Sequence, residues 1–242
     1  MQDIDYTVYY SKWHPPTQEH RDSMAIFYAK LLKAHLGDLS GLSILDVGCG
    51  MGFAMLGCKA LGCNSAQGID IDRGQYELAL ASGLEVTHTA DPLIFLENHQ
   101  EEYDLLLCMD VIEHIDVSAQ LQFCQAMRSA IKPQGRLLCT VPNANSSFAS
   151  RWRYNDWTHR SSFTEHSLEF LLVNAGFQKP RVVGMEFMTR PRCAWFPTRG
   201  TRHWWTFNFF RALRRLEAMA ELGPTQGRLI PLSLNLLAVT ER

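Results

Sequence analysis

Short apolar runs alternate with longer amphipathic segments through most of this chain. The apolar runs lie at residues 42–47, 66–70, 84–88, 104–109 and 136–141, and the amphipathic segments at 52–62, 73–82, 92–99 and 118–131. This alternation predicts an α/β fold in which a parallel sheet carries helices on both faces. Because right-handed crossovers bring the carboxyl ends of parallel strands to one edge, we expect the functional site at that edge.

Further elements flank this alternating core. A helix over Thr17–Leu36 follows a Pro-Pro pair, and a second helix over Glu165–Ala175 begins after a threonine cap. The pattern then predicts a strand over Phe177–Val183 and a last strand over Leu232–Val239. At 242 residues we expect one domain, made of an N-terminal helical cap (1–39), a core (40–183), an insertion (184–230) and a final strand (231–242).

The insertion differs from the rest of the chain in composition. Residues 187–216 contain seven arginines and no acidic residue, interleaved with tryptophan and phenylalanine. A helix from about Trp204 would place Phe209, Leu213, Leu216 and Ala220 on one stripe, with Arg211, Arg214 and Arg215 toward its flanks. Three interpretations stay open: packing on its own domain or across a homodimer, contact of residues 190–216 with an anionic membrane or a lipid-linked substrate, and, least favoured, nucleic-acid binding.

The most informative local motif is a glycine-rich turn at the end of the first apolar run. Residues 44–52 read Ile-Leu-Asp-Val-Gly-Cys-Gly-Met-Gly, and Asp70 ends the next apolar run. Glycines allow a sharp turn and let a cofactor lie against the backbone, and an acid about 20 residues further on takes up ribose hydroxyls in such folds. The motif therefore predicts a nucleoside-type cofactor. The acid at Asp46, where a dehydrogenase turn begins with glycine, disfavours a dinucleotide dehydrogenase.

Composition bears on the binding partners and the cellular location expected for the protein. The formal net charge of -2 and the pI of about 6.5 give no general attraction to nucleic acid or to anionic membranes. The seven cysteines form no Cys-x-x-Cys pair, which is typical of reduced thiols in a cytoplasmic protein. With no signal-peptide pattern and no apolar run of about 18 residues, we expect a cytoplasmic protein that is neither exported nor membrane-spanning.

Two further segments carry a family resemblance. Residues 103–115 run from an apolar strand into Asp-Val-Ile-Glu-His, and residues 131–142 combine a Pro/Gly turn with another apolar strand. With the glycine turn, these motifs resemble the class I S-adenosylmethionine-dependent methyltransferases, in the branch of ubiquinone-biosynthesis and bacterial polysaccharide-locus enzymes. The resemblance covers about residues 40–183. It implies a Rossmann-like, seven-stranded, mostly parallel sheet whose last strand is antiparallel.

The resemblance also implies roles for the cofactor-binding residues. Gly48 and Gly50 would lie against the methionine part of S-adenosylmethionine, and Asp70 would hold the ribose. Asp91 would accept a hydrogen bond from the adenine amino group, although as a helix N-cap before Pro92 it has an equally good structural role. The set of cofactor-binding residues expected from the sequence is Asp46, Gly48, Gly50, Gly52, Asp70, Asp91 and Asp110.

Transfer of a methyl group to a hydroxyl requires removal of a proton, and histidine accepts protons near neutral pH. The candidate bases are His159, which is preferred, and His114, with Asp156 in the same polar run as His159; a histidine that only shapes the pocket remains an alternative.

Asp110, Glu113 and His114 also resemble the acid-x-x-Glu-His site that binds a divalent ion in some relatives. Because the first acid here is the shorter aspartate, we expect no metal, with Mg²⁺ at these three residues as the less favoured alternative.

The resulting functional expectation is O-methylation of a sugar hydroxyl in a surface polysaccharide or glycolipid precursor, at the inner face of a bacterial membrane. It depends on the loop around residues 154–165 and on the Arg/Trp-rich insertion. The alternatives are O-methylation of a quinone-like or other small phenol, a non-catalytic cofactor-binding scaffold, and a nucleic-acid methyltransferase.

Overall fold

The computed structural model describes residues 5–63, 65–186 and 198–242. Its centre is a seven-stranded sheet in the order β3-β2-β1-β4-β5-β7-β6. The strands are β1 (Ile44–Val47), β2 (Ala66–Asp70), β3 (Glu85–His88), β4 (Tyr103–Met109), β5 (Ile131–Pro142), β6 (Gln178–Met185) and β7 (Asn235–Glu241). β7 runs antiparallel to both of its neighbours, and the β1, β2, β3, β4 and β5 pairings are parallel. The predicted fold is thereby confirmed.

Helices cover both faces of the sheet. They are α1 (Tyr6–Tyr10), α2 (Gln18–Leu36), α3 (Phe53–Ala60), α4 (Arg73–Ala81), α5 (Pro92–Asn98), α6 (Val117–Ala130), α7 (Ala149–Asn155), α8 (Glu165–Asn174), α9 (Arg199–Leu222) and α10 (Pro224–Leu229), with a short 3-10 helix at Ile112–His114. α2 and α3 pack on one face through residues such as Leu32 and Cys58, and α6 and α8 pack on the other through Met127 and Leu168.

Several boundaries differ from the sequence prediction. The last strand begins at Asn235 rather than Leu232. Helix α9 begins at Arg199 rather than near Trp204, because the Thr198 side chain caps it by accepting from the Thr201 N–H at 3.2 Å. α1 and α7 were not predicted, since each is too short to show a helical period. The six cysteines in the described ranges are buried free thiols, as predicted, and Cys193 lies outside those ranges.

Candidate active site

The glycine turn between β1 and α3 has the left-handed backbone that its sequence predicts. Gly48 has φ 69° and Gly52 has φ 80°, values that L-residues with a Cβ rarely adopt. A Cβ on Gly48 would lie 2.5 Å from Cγ2 of Val111, and a Cβ on Gly52 would collide with Cδ1 of Leu84. The turn therefore depends on glycine both for conformation and for space.

Asp70 stands at the carboxyl end of β2 and holds this turn in place. Its carboxylate accepts the backbone N–H of Gly50 at 2.7 Å through one oxygen and that of Asp72 at 2.7 Å through the other. Burial raises the pKa of Asp70, and the two backbone hydrogen bonds act in the opposite direction. The turn and the acid that the sequence singled out are thus brought into direct contact.

Asp46, in β1, is a buried acid without a complete set of hydrogen bonds. Its side chain is 1% exposed, and its Oδ1 has no hydrogen-bond partner among the described residues. Burial, reinforced by the nearby Asp70 charge, raises the pKa of Asp46 to about 7. A buried oxygen of this kind is stabilised by a cationic group placed beside it.

The two other predicted cofactor acids have structural partners. Asp91 is exposed and caps α5, because its Oδ1 accepts from the N–H groups of Leu93 at 2.9 Å and Ile94 at 3.3 Å. Asp110 follows β4 with φ 55°, and its Oδ1 accepts from the Thr140 hydroxyl at 3.0 Å and the Asn235 amide at 2.7 Å. Burial raises the pKa of Asp110.

A cavity of about 340 Å³ opens at this edge of the sheet, a size typical of small-molecule sites. Asp46, the turn from Gly48 to Gly50, and Asp70 form one part of its wall. The ends of the neighbouring strands contribute Ala90 and Asp110. The remaining wall includes aromatic and apolar side chains from several elements, among them Tyr6, Tyr10, His14, Tyr28, Met109, Val111 and Phe123.

The N-terminal part of that wall was not predicted from the sequence. Asp72 holds α1 over the cavity, because its carboxylate accepts from the Tyr6 N–H at 2.6 Å and from the Thr7 hydroxyl at 2.9 Å. On the opposite side, the Asn155 amide donates to the Tyr9 hydroxyl at 2.9 Å. The concentration of tyrosine and histidine before α2 was the signal that could have indicated a binding wall.

His114 lines the cavity and is fixed by a two-step hydrogen-bond chain. The Thr158 hydroxyl donates to Oδ1 of the buried Asp156 at 2.6 Å, because a carboxylate can only accept. Having given its one proton to Asp156, the hydroxyl accepts from Nδ1–H of His114 at 2.8 Å. The neutral His114 ring therefore carries its proton on Nδ1 and leaves Nε2 as an acceptor. Thr158 was not predicted from the sequence.

His159 packs edge-on against His114, with ring centroids 4.6 Å apart. Its Nδ1 donates to the Trp152 carbonyl at 3.0 Å, which also leaves Nε2 unprotonated in the neutral ring. Burial lowers the pKa of both rings, that of His114 to about 4, with the His159 charge a further cause for His114. Of these two histidines, His114 is the one that lines the cavity.

Glu113 completes this cluster. It is fully buried, neither carboxyl oxygen has a hydrogen-bond partner in the described ranges, and burial raises its pKa well above the ordinary value. Ligand atoms of Glu113, His114 and His159 all lie within 4.8 Å of one another. This grouping contains His159 rather than Asp110, which the sequence analysis placed with Glu113 and His114; Oδ1 of Asp110 instead accepts from Thr140 and Asn235.

A family model described as a methyltransferase domain matches residues 18–180. The chain belongs to this methyltransferase family. The methyltransferase is 32% identical over 183 residues to a ubiquinone biosynthesis O-methyltransferase of Dinoroseobacter shibae, a match that covers 68% of this chain and 71% of the relative. It is 30% identical over 143 residues to a protein of the same name from Bordetella avium, covering 56% of this chain and 58% of that relative.

Solved structures agree with this assignment. The crystal structure of a SAM dependent methyltransferase from Archaeoglobus fulgidus superposes with a TM-score of 0.67 at 17% identity, covering 98% of this chain and 100% of that one. At this identity the likeness shows the fold. The prediction of a class I methyltransferase that uses S-adenosylmethionine as its cofactor is confirmed.

Proposed function

We propose that this methyltransferase transfers the methyl group of S-adenosylmethionine to a phenolic hydroxyl of a small aromatic acceptor. The proposal depends on the aromatic wall of the cavity: Tyr6, Tyr10 and Tyr28 line the same cavity as His114. Aromatic rings pack well against other rings, whereas a sugar needs several convergent polar groups. The names of the relatives from Dinoroseobacter and Bordetella support the same acceptor class.

A sugar hydroxyl was the leading expectation from the sequence, and it receives less support. That expectation depended on the loop after the fifth strand and on the arginine-rich insertion. In the loop, the side chains of Tyr154 and Trp157 are each 76% exposed. In the insertion, Arg211 pairs with Glu186, and Arg215 donates to two backbone carbonyls.

In the proposed mechanism the protein aligns the two reactants and removes one proton. When bound, S-adenosylmethionine supplies a methyl carbon activated by its sulfonium. Asp70 would accept from the ribose hydroxyls, and Asp46 would pair through its unpartnered oxygen with the ammonium of the methionine part. The glycine turn leaves room for the cofactor against the backbone. Tyr6 and Tyr10 of α1 keep bulk water from the reacting atoms.

His114 takes the phenolic proton at Nε2 in this mechanism. Thr158 and Asp156 act as positioning residues, since they hold the ring in the tautomer that leaves Nε2 free. The lowered pKa of His114, about 4, keeps the ring neutral at physiological pH. A phenol ionises near pH 10, far more easily than an alcohol, so a weak base is better matched to a phenol.

A metal-assisted variant is the second candidate, because Glu113 has two buried oxygens without partners beside two available imidazole nitrogens. Glu113, His114 and His159 would hold a divalent cation, which would lower the pKa of an acceptor hydroxyl. Return of activity on adding Mg²⁺, Mn²⁺ or Zn²⁺ to EDTA-treated protein, absent in Glu113→Gln, would support this variant. Full activity in EDTA would eliminate it.

The proposal is tested with methyl-labelled S-adenosylmethionine and two acceptor panels. Catechol and dihydroxybenzoate represent phenols, and methyl glucoside and UDP-glucose represent sugars, with products identified by mass spectrometry. We expect labelled methyl ethers from the phenols only. Transfer to the sugars alone would overturn the acceptor class. Calorimetric cofactor binding without transfer to either panel or to a cell extract would favour a scaffold, and salt-sensitive methylation of RNA or DNA would favour a nucleic-acid enzyme.

Histidine variants test the assignment of the base. His114→Ala is expected to lower kcat for catechol by at least a hundredfold, whereas His159→Ala is expected to lower it by less than tenfold. His166→Ala is the matched control, because the His166 side chain is 72% exposed on α8. The opposite ranking of the first two variants would move the base to His159.

A further inference from the structure

α9 presents apolar side chains away from the body of the protein. This helix spans Arg199–Leu222, about 36 Å at 1.5 Å per residue. On its inner side, Arg211 pairs with Glu186, and Arg215 donates to the carbonyls of Gly227 at 2.8 Å and Ile230 at 2.6 Å. Arg211 and Arg215, in the middle of the helix, thus bind the body of the protein, and several large apolar side chains are left exposed on the outer side.

The exposed apolar residues form one face, which we call the outer face of α9. Phe209 and Phe210 are each 59% exposed, Leu213 is 46% exposed and Leu216 is 61% exposed, and Trp205 is 52% exposed one turn earlier. Their spacing of three and four residues puts most of them on one stripe. The sequence predicted this stripe, and its residues Phe209, Leu213 and Leu216 are exposed rather than buried against the described part of the protein. A stripe of large apolar groups directed outward marks an interaction surface.

The charges on the outer face are arranged symmetrically along the helix. Arg199 and Arg202 are exposed in its first turn, and Glu217 and Glu221 are exposed in its last turns. The midpoint between Arg199 and Glu221 is Phe210, and the midpoint between Arg202 and Glu217 falls beside it. A local pair between Arg214 and Glu217 at 3.4 Å is largely exposed and contributes little.

This arrangement complements itself when the helix is turned end for end. An antiparallel second α9, related by a twofold axis at Phe210, would place Arg199 opposite Glu221 and Arg202 within one residue of Glu217. Trp205 would come within one residue of Leu216 of the second copy, and the two Phe210 rings would meet at the axis. A twofold interface of this kind uses the same surface on both subunits. Helices pack at about 8–10 Å between axes, within reach of all these side chains.

An anionic membrane, the alternative from the sequence, matches this surface less well. A helix that binds such a membrane needs an excess of basic residues beside its apolar stripe. The described charges on and beside the outer face are Arg199, Arg202 and Arg214 against Glu217 and Glu221, an excess of one positive charge, and Arg211 and Arg215 are engaged on the inner side. Arg190 and Arg192 lie outside the described residues. None of the helices in the described ranges is long and apolar enough to cross a bilayer.

We propose that the outer face of α9 is the interface of a twofold homodimer, in which the two α9 helices pack antiparallel about Phe210. The partner is a second copy of this chain. The interface is independent of the acceptor, so the failure of the proposed methyl transfer would leave this proposal standing.

Sedimentation equilibrium of the full chain tests the proposal. The wild type is expected at twice its 27.6 kDa mass at micromolar concentration. Phe209→Lys and Leu213→Lys are each expected to raise the dimer dissociation constant at least a hundredfold, with calorimetric binding of S-adenosylhomocysteine retained as the check of folding. Phe170→Lys on α8, where Phe170 is 72% exposed, is the matched control and is expected to stay dimeric.

Charge reversal tests the antiparallel arrangement. The double variant Arg199→Glu and Arg202→Glu is expected to dissociate, and adding Glu217→Arg and Glu221→Arg is expected to restore the dimer to within about threefold of the wild-type dissociation constant.

A wild type that is still monomeric at about 100 µM, a concentration on the order of the dissociation constants of weak complexes, would overturn the proposal. The proposal would also be overturned if Phe209→Lys stayed dimeric, or if the variant with all four substitutions had a dimer dissociation constant as high as that of the double variant. Pelleting of a monomeric wild type with phosphatidylglycerol vesicles, lost in Phe209→Lys, would assign the face to membranes instead.

Discussion

The carboxylate of Asp70 accepts the backbone N–H of Gly50 at 2.7 Å, so the end of β2 is tied directly to the glycine turn after β1. The same acid shapes the turn and, in the proposed mechanism, would hold the ribose. Asp70→Ala is expected to raise the dissociation constant of S-adenosylhomocysteine at least tenfold, because charge-assisted hydrogen bonds contribute about 1.5–3 kcal/mol each.

Calorimetry with purified protein measures this change, and circular dichroism checks the fold. Glu77→Ala is the control, since Glu77 on the neighbouring α4 forms an exposed pair with Arg73, and such pairs contribute little. An unchanged dissociation constant in Asp70→Ala would remove Asp70 from the cofactor site.

The pH dependence of cofactor binding tests the role of Asp46. With a pKa of about 7, this carboxyl is largely protonated at pH 5.5 and must lose its proton to pair with the cofactor ammonium. S-adenosylhomocysteine is therefore expected to bind about tenfold more weakly at pH 5.5 than at pH 7, where its own amino group remains charged. Asp46→Asn is expected to bind weakly at both pH values. The same slope in the variant would contradict this role.

The same shift predicts a stability effect of Asp46 in the unliganded protein. Because the folded pKa lies above the ordinary value of 3.8, the folded state holds a proton that the unfolded state has lost between about pH 4 and pH 7. The Asp46 contribution to the free energy of unfolding is therefore expected to fall as the pH rises through this window. Urea unfolding of wild type and Asp46→Asn at pH 5 and pH 8 measures it, and a wild type that gains stability relative to the variant at pH 8 would contradict it.

Thr158 is expected to affect catalysis without touching the cofactor. Thr158→Val keeps the shape of the side chain but removes the hydroxyl between His114 and Asp156. We expect kcat for catechol to fall about 10- to 100-fold while KM for S-adenosylmethionine stays unchanged, because the ring loses its fixed tautomer. Thr158→Ser restores the hydroxyl and is expected to recover most of kcat. Equal activity in the valine and serine variants would rule out the hydrogen-bond chain.

Variants of Asp91 distinguish a helix-capping role of this residue from a contact with the cofactor. Its Oδ1 accepts two N–H groups at the start of α5, so Asp91→Ala is expected to lower the free energy of unfolding by about 1 kcal/mol. Asp91→Ser retains a capping oxygen and is expected to lose much less. Urea unfolding measures both variants. We expect the dissociation constant of S-adenosylhomocysteine to stay within threefold in each, and a larger rise in both would assign Asp91 to the adenine amino group.

The order of the elements, the parallel sheet and the glycine turn could all be predicted from the sequence. Each depends on short-range features: the alternation of apolar and polar positions, and glycines within a few residues of one another. The contact of Asp70 with Gly50 joins neighbouring strands across a distance of 20 residues, within the range of a single βαβ unit. This is why the contact between the glycine turn and Asp70, at the carboxyl edge of the sheet, was predictable.

The hydrogen bonds around His114 and Asp110, and the side of α9 that is exposed, were decided by tertiary structure alone. Thr158 contacts His114 across 44 positions, Asn235 engages Asp110 across 125, and Asn155 reaches Tyr9 across 146. No local periodicity encodes such proximity, because it arises only when separate elements pack together. The apolar stripe on α9 could be predicted from the spacing of its residues. Which side of the helix packs against the protein depends on the contacts of Arg211 with Glu186 and of Arg215 with backbone carbonyls, which the spacing does not specify.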